Sequence, residues 1–111
     1  MTGSWSYWRD AAATEYAYWA GDAAPALGTH FHGEHQITLV LTGSRRFVAA
    51  GQAFHIGAGQ CLFIPAAVPH RSLPHVHEGT TCLNLYLPAA ETRPTPVTGF
   101  DPITTSPRAM R

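Results

Sequence analysis

Between Gln36 and Ile64, short runs of β-branched and aromatic residues are cut repeatedly by glycine-bearing turns. Residues 36–41, 45–48, 52–56 and 60–64 have strand composition, and Thr42-Gly43-Ser44, Ala50-Gly51 and Gly57-Ala58-Gly59 supply the connections. Runs this short are poor helices, which need roughly 10 residues or more. With residues 15–19 before them and 80–87 after them, they predict an antiparallel sandwich or barrel. Ala11-Ala12-Ala13-Thr14 could make one helical turn and no more. At 111 residues and 45% hydrophobic content, the chain is one domain with enough apolar material for a core.

Strand residues two apart share a face, so Gln36, Thr38 and Val40 lie on one side and Ile37, Leu39 and Leu41 on the other. If Gln36 points into the barrel, Thr38 and Val40 follow it as pocket lining, and three large aliphatics point outward. An apolar outer face needs cover. The N-terminal strand is one source; a second copy of the chain is the preferred one. Tyr18, Phe47, Phe54, Phe63 and Tyr86 are candidates for the apolar walls of the pocket, with plain core as the alternative for each.

The chemistry concentrates in His30-Phe31-His32-Gly33-Glu34-His35-Gln36 and in His70, which closes Pro65-Ala66-Ala67-Val68-Pro69-His70. His30 and His32 can present two imidazoles to one point, and Gln36 and His70 can complete a four-ligand cluster. Three imidazoles and an amide oxygen could hold Zn, Ni, Mn or Fe as a divalent ion. The same groups could equally line a metal-free ligand pocket. His35 has the opposite parity and is expected to face out. His55 reads as a solvated or satisfied histidine, and Pro74-His75-Val76-His77-Glu78 as a surface loop.

Several functions are disfavoured. The formal net charge is zero and only 13% of residues are charged, so no basic stripe exists to neutralise phosphates. Arg45-Arg46 alone is too little for a phosphate-tracking surface, and no direct nucleic-acid binding is expected. Residues 1–10 lack the basic start and apolar stretch of a secretory signal, and no apolar run approaches the ~20 residues that span a bilayer. A cytoplasmic location is therefore expected, with Cys61 and Cys82 as buried free thiols. No serine-nucleophile motif, phosphate-cradling glycine loop or Cys-x-x-Cys pair is present.

The spacing His30-x-His32-x-x-x-Gln36-(x)6-Gly43, followed by Gly59-(x)5-Pro65-x-Ala67-x-x-His70, resembles the two cupin motifs. Gln36 stands where glutamate is usual, and Ala67 and Ala24 stand where glycine is usual. The resemblance implies an all-β double-stranded β-helix, a jelly-roll barrel with little helix and an internal pocket. More narrowly, Tyr7-Trp8-Arg9-Asp10, Gly28-Thr29-His30-Phe31-His32, Val40-Leu41-Thr42-Gly43, the stretch from Leu62 to His70, and Leu85-Tyr86-Leu87-Pro88 are similar to the N-terminal sensor domain of AraC-type transcription regulators. That family implies a small-molecule effector, a homodimer and a separate DNA-binding module. Against the usual cupin pattern, Gln36 leaves the site more positive by one charge, which weakens metal retention and favours an anionic guest. The alternative is a stand-alone metal-dependent cupin enzyme, an oxygenase or isomerase with Glu34 as a base; on balance the chain is not expected to be an enzyme.

The tail reads differently. Residues 1–87 are expected to form the barrel with its N-terminal strand. In residues 88–111, Pro88, Pro94, Pro96, Pro102 and Pro107 interrupt regular structure and predict an extended arm. Ser106-Pro107 is a helix-start signal, where a linker towards a following module would begin.

Overall fold

The computed structural model describes residues 3–30, 33–73, 79–89 and 96–101, without the side chains of Leu27, Thr29 and His30. These residues form strands and no helix: β1 (Gly3–Arg9), β2 (Glu15–Gly21), β3 (Leu27–His30), β4 (Glu34–Thr42), β5 (Ser44–Ala49), β6 (Gln52–Gly57), β7 (Cys61–Ile64), β8 (His70–Leu73), β9 (Thr80–Pro88) and β10 (Thr98–Phe100). Pairing is antiparallel throughout, in a six-stranded sheet ordered β1-β2-β9-β4-β7-β10 and a four-stranded sheet ordered β3-β8-β5-β6. This is the jelly-roll arrangement that the motifs imply. The Ser106 helix signal and residues 74–78 lie outside the described residues.

Local chemistry explains the connections. Ala49 pairs with Gln52, leaving Ala50 and Gly51 as a two-residue loop with φ of 50° and 75°, the type I′ geometry that suits strand twist. At the β4–β5 corner Gly43 has φ 74°, and a Cβ there would stand 2.6 Å from both the Gly79 carbonyl oxygen and Thr80 Oγ1. Only glycine fits. The alanine run after β1 makes a tight turn rather than a helix: Ala13 N–H donates to Asp10 O at 3.1 Å and Ala13 adopts φ 67°. The Asp10 carboxylate secures it by accepting from the amides of Ala12 and Thr14 and from the Tyr16 hydroxyl.

Strand periodicity sorts the side chains. Along β4, Gln36, Thr38 and Val40 are buried while Ile37 and Leu39 are half-buried and Leu41 is exposed. Val40 packs with Phe47, Ile56, Leu62, Ile64 and Cys82 into the apolar core. Cys61 and Cys82 are both buried free thiols, and burial pushes both above the usual thiol range. Among the described residues no helix is long and apolar enough to cross a membrane.

The edges of the larger sheet are formed by the two terminal segments. β1 pairs with β2 at one edge, so the N-terminal strand does not lie over the outer face of β4. The proline-rich arm is not irregular throughout: the proline-free stretch after Pro96 forms β10 and adds to β7 at the other edge. Both segments widen the sheet rather than cover it. Its outer face keeps Ile37, Leu39, Leu83, Leu85 and Phe63 half-buried.

Candidate functional site

Where β4 and β9 pair near the Gln36 end, the interior turns polar. Register sets Gln36 opposite Tyr86 and Thr38 opposite Asn84, so their side chains share the inner face. From the other sheet Arg45 and Phe47 of β5, and His70 and Ser72 of β8, complete the lining of a cavity of about 10 Å³, room for about one water. A continuous hydrogen-bond chain runs through it. Gln36 Nε2 donates to Thr38 Oγ1 at 2.8 Å, Thr38 donates to Asn84 Oδ1 at 2.7 Å, and Asn84 Nδ2 donates to the Tyr86 hydroxyl at 3.0 Å. His70 is buried and its Nδ1 donates to the Val68 carbonyl at 2.8 Å, which fixes the ring's orientation.

Arg45 is the unusual member. It is 1% exposed, and among the described residues its Nη1 reaches Asn84 Oδ1 at 3.4 Å and the Cys82 sulfur at 3.8 Å. Its guanidinium lies 4.4 Å from the Phe47 ring centroid, a cation–π contact that recovers about 2 kcal/mol when desolvated. Burial pulls its pKa below the ordinary arginine range, yet an arginine in a protein stays protonated at neutral pH. Taking such an ion out of water costs on the order of several kcal/mol. A wider, open hollow of about 430 Å³ lies by Arg46, Phe47, Ala53, Phe54, His55 and Leu73. It is the larger space, but it holds no comparable buried charge, and the inner cavity is the better candidate.

The sequence-derived residues distribute as follows. Gln36, His70 and Tyr86 line the cavity and Thr38 belongs to its hydrogen-bond chain. Val40 lies in the apolar core instead. Phe63 does not reach the cavity: it pairs opposite Ile37 on the outer face and its ring packs against His35. Its neighbours Leu62 and Ile64 take the inner face of β7. Glu34 is exposed and lines an open groove of about 380 Å³ with Arg9, Ala13, Glu15, Gly33, Tyr86 and Pro88. His35 faces out as expected and accepts a 2.9 Å hydrogen bond at Nδ1 from the Ala66 amide, tying β4 to the β7–β8 turn.

For the four expected metal ligands the fit is incomplete. Strand register sets position 30 opposite His70, but the His30 side chain and the whole of His32 lie outside the described residues. His70, with Nδ1 bonded to a carbonyl, has the orientation of a ligating imidazole. Among the described residues no three His, Cys, Asp or Glu side chains converge. The cavity lining, among the described residues, holds a guanidinium and no carboxylate. Among the described residues, His70 and Gln36 beside a guanidinium do not by themselves make a divalent-cation site.

The sequence matches the family model of the AraC-like ligand binding domain over residues 13–98, most of the chain. The chain belongs to that family. No curated protein matches it. Among solved structures this AraC-like domain is similar to a putative mannose-6-phosphate isomerase from Ralstonia eutropha JMP134, with 16% identity and TM-score 0.68 over 78% of this chain and 85% of that one. It is also similar to AerE from Microcystis aeruginosa, with 17% identity and TM-score 0.74 over 88% of this chain and 47% of that one. A bacterial pirin from Escherichia coli, solved with nickel(II), has 18% identity and TM-score 0.69 over 83% of this chain and 47% of that one. At these identities the likeness establishes the cupin fold alone.

Three residues of this AraC-like domain's cavity escape sequence reasoning: Arg45, Ser72 and Asn84. A signal for two of them was present. Arg45 has the parity of Phe47 on β5, and Asn84 has the parity of Tyr86 on β9. Reading Arg45-Arg46 as a surface pair hid the alternation, which sends Arg46 out and Arg45 in.

Proposed function

We propose that the chain is the effector-sensing and dimerisation domain of an AraC-like transcription regulator, with DNA bound by a separate helix-turn-helix module. The observation that carries this reading is the enclosed polar cavity in the barrel interior. Its side chains satisfy one another through Gln36, Thr38, Asn84 and Tyr86, and an effector would exchange those contacts for its own. The same strands, β4 and β9, carry Ile37, Leu39, Leu83 and Leu85 on their outer face. A second copy packed on that face would register a change in the packing of the inner one. Such coupling requires an effector that binds one arrangement better than the other.

The test is a fusion of the chain to a DNA-binding module that represses a reporter only as a dimer. The wild-type fusion should repress and its sedimentation should give a dimer; Leu39→Glu should abolish both while leaving the circular dichroism spectrum unchanged. A wild-type domain that stays monomeric and leaves the reporter unrepressed would sink the reading. Stoichiometric divalent metal in the purified protein, with turnover of an organic substrate, would instead support a stand-alone cupin enzyme.

A further inference from the structure

Among the described residues, Arg45 is a buried charge without a counter-ion, and no Asp or Glu among them lines its cavity. Its Nε is buried with no hydrogen-bond partner among the described residues, and its Nη1 has only a long contact to an amide oxygen and one to a thiol. A guanidinium carries five N–H donors in a planar fork, and that fork matches the two oxygens of a carboxylate. Neutral Gln36 lines the same cavity, and the described lining supplies no anion of its own.

We propose that the cavity receives the carboxylate of a small organic monocarboxylate, seated on Arg45, with Tyr86 as the movable wall through which the rest of the molecule reaches the outer groove. This rests on the effector-binding reading above and names the effector's chemical class. The size and charge of the site favour a carboxylate over a phosphate. One guanidinium balances one negative charge, and from a space of about 10 Å³, room for about one water, less has to open for a flat carboxylate than for a tetrahedral dianion. Tyr86 lines both the inner cavity and the open groove of about 380 Å³, which places it between them. A swing of its ring would join the two spaces. The carboxylate then lies inside and the hydrocarbon body lies where the ring stood, towards Ala13 and Pro88. In that groove Glu15 is already paired with Arg9.

The experiment is thermal melting and calorimetric titration of the full chain with formate, acetate, propionate and benzoate at millimolar concentration. Acetamide, benzamide, chloride and phosphate are run at matched ionic strength. Carboxylates should raise the melting temperature saturably, and the amides and inorganic anions should not. Arg45→Met should weaken carboxylate binding by about 30-fold or more, as expected for a lost buried charge pair, without lowering the melting temperature of the unliganded protein. Asn84→Asp supplies an internal carboxylate beside Arg45. It should raise the unliganded melting temperature and abolish the response to added carboxylates, which keeps the test decisive if Arg45→Met fails to fold.

The proposal is overturned if no carboxylate binds, or if amides or inorganic anions bind as well as carboxylates do. It is equally overturned if the response survives in a folded Arg45→Met or in Asn84→Asp, or if Asn84→Asp lowers the unliganded melting temperature. Binding of a neutral amide that is indifferent to Arg45 would remove this inference and leave the sensor reading standing. Loss of dimer-dependent repression in the fusion assay would remove the sensor reading whatever the carboxylates do.

Discussion

Ala67 sits where a glycine belongs, and replacing it should stabilise the protein. The turn between β7 and β8 is closed by Val68 N–H donating to Pro65 O at 3.3 Å, and its third residue, Ala67, has φ 67°. That is the position where a type II turn calls for positive φ and therefore glycine. A non-glycine residue held in the left-handed region costs about 1–2 kcal/mol. Glycine relieves that strain but gives the unfolded chain more freedom, which offsets about 0.4–1 kcal/mol. The net gain for Ala67→Gly is then about 0–1.6 kcal/mol, centred at ~0.8. At about 2.1 cal/mol/K of unfolding entropy per residue, a 111-residue chain should melt roughly 3 °C higher at the centre of that range. Calorimetry of wild type, Ala67→Gly and Ala58→Gly checks this. Ala58 is an exposed turn residue that is not among the positive-φ positions, so glycine there should lower the melting temperature. If Ala67→Gly falls alongside Ala58→Gly, the strain argument is wrong.

Three further outcomes are expected. Gly43→Ala should destabilise by at least about 2 kcal/mol, because left-handed φ combines with a 2.6 Å clash against the Gly79 carbonyl and Thr80 Oγ1; a lower urea midpoint at unchanged slope reads it out. The Tyr16 hydroxyl, and then the Thr14 amide, hold the Asp10 carboxyl below its ordinary range. Its contribution is therefore present above the unfolded value of about pH 4 and lost as pH falls through the lower folded value. The melting difference between wild type and Asp10→Asn should shrink on acidification below pH ~4, and a pH-independent difference would contradict the assignment. His35→Ala removes the acceptor for the Ala66 amide; it should cost about 1 kcal/mol and speed hydrogen exchange at that amide.

How far the sequence led depended on whether a segment alternated. β4, β5, β6 and β9 were legible from period-two patterns beside turn residues, and β2 and β7 from their aromatic and aliphatic composition. β1, β3, β8 and β10 were not. β1 is an edge strand with its aromatic residues largely exposed, β8 carries His70, Arg71 and Ser72 in four residues, and β10 is a three-residue addition among prolines. Their strand character comes from pairing partners, which tertiary structure supplies and composition does not. The site followed the same rule. Parity turns Gln36 and Thr38 inward, whereas the outward facing of Phe63 was not readable because Cys61-Leu62-Phe63-Ile64 is apolar at every position and alternation is silent there. Arg45 was missed for a physical reason: a buried guanidinium without an acid is costly, and composition assigns arginine to the surface.

The shared wall at Tyr86 carries a kinetic consequence. A guest that enters only when the ring swings aside cannot bind faster than the ring opens, so the observed association rate would level off as concentration rises. Departure would be throttled by the same motion. Occupancy would then follow the effector's average level over the ring's opening time and ignore briefer swings, making this barrel a time filter as well as a detector.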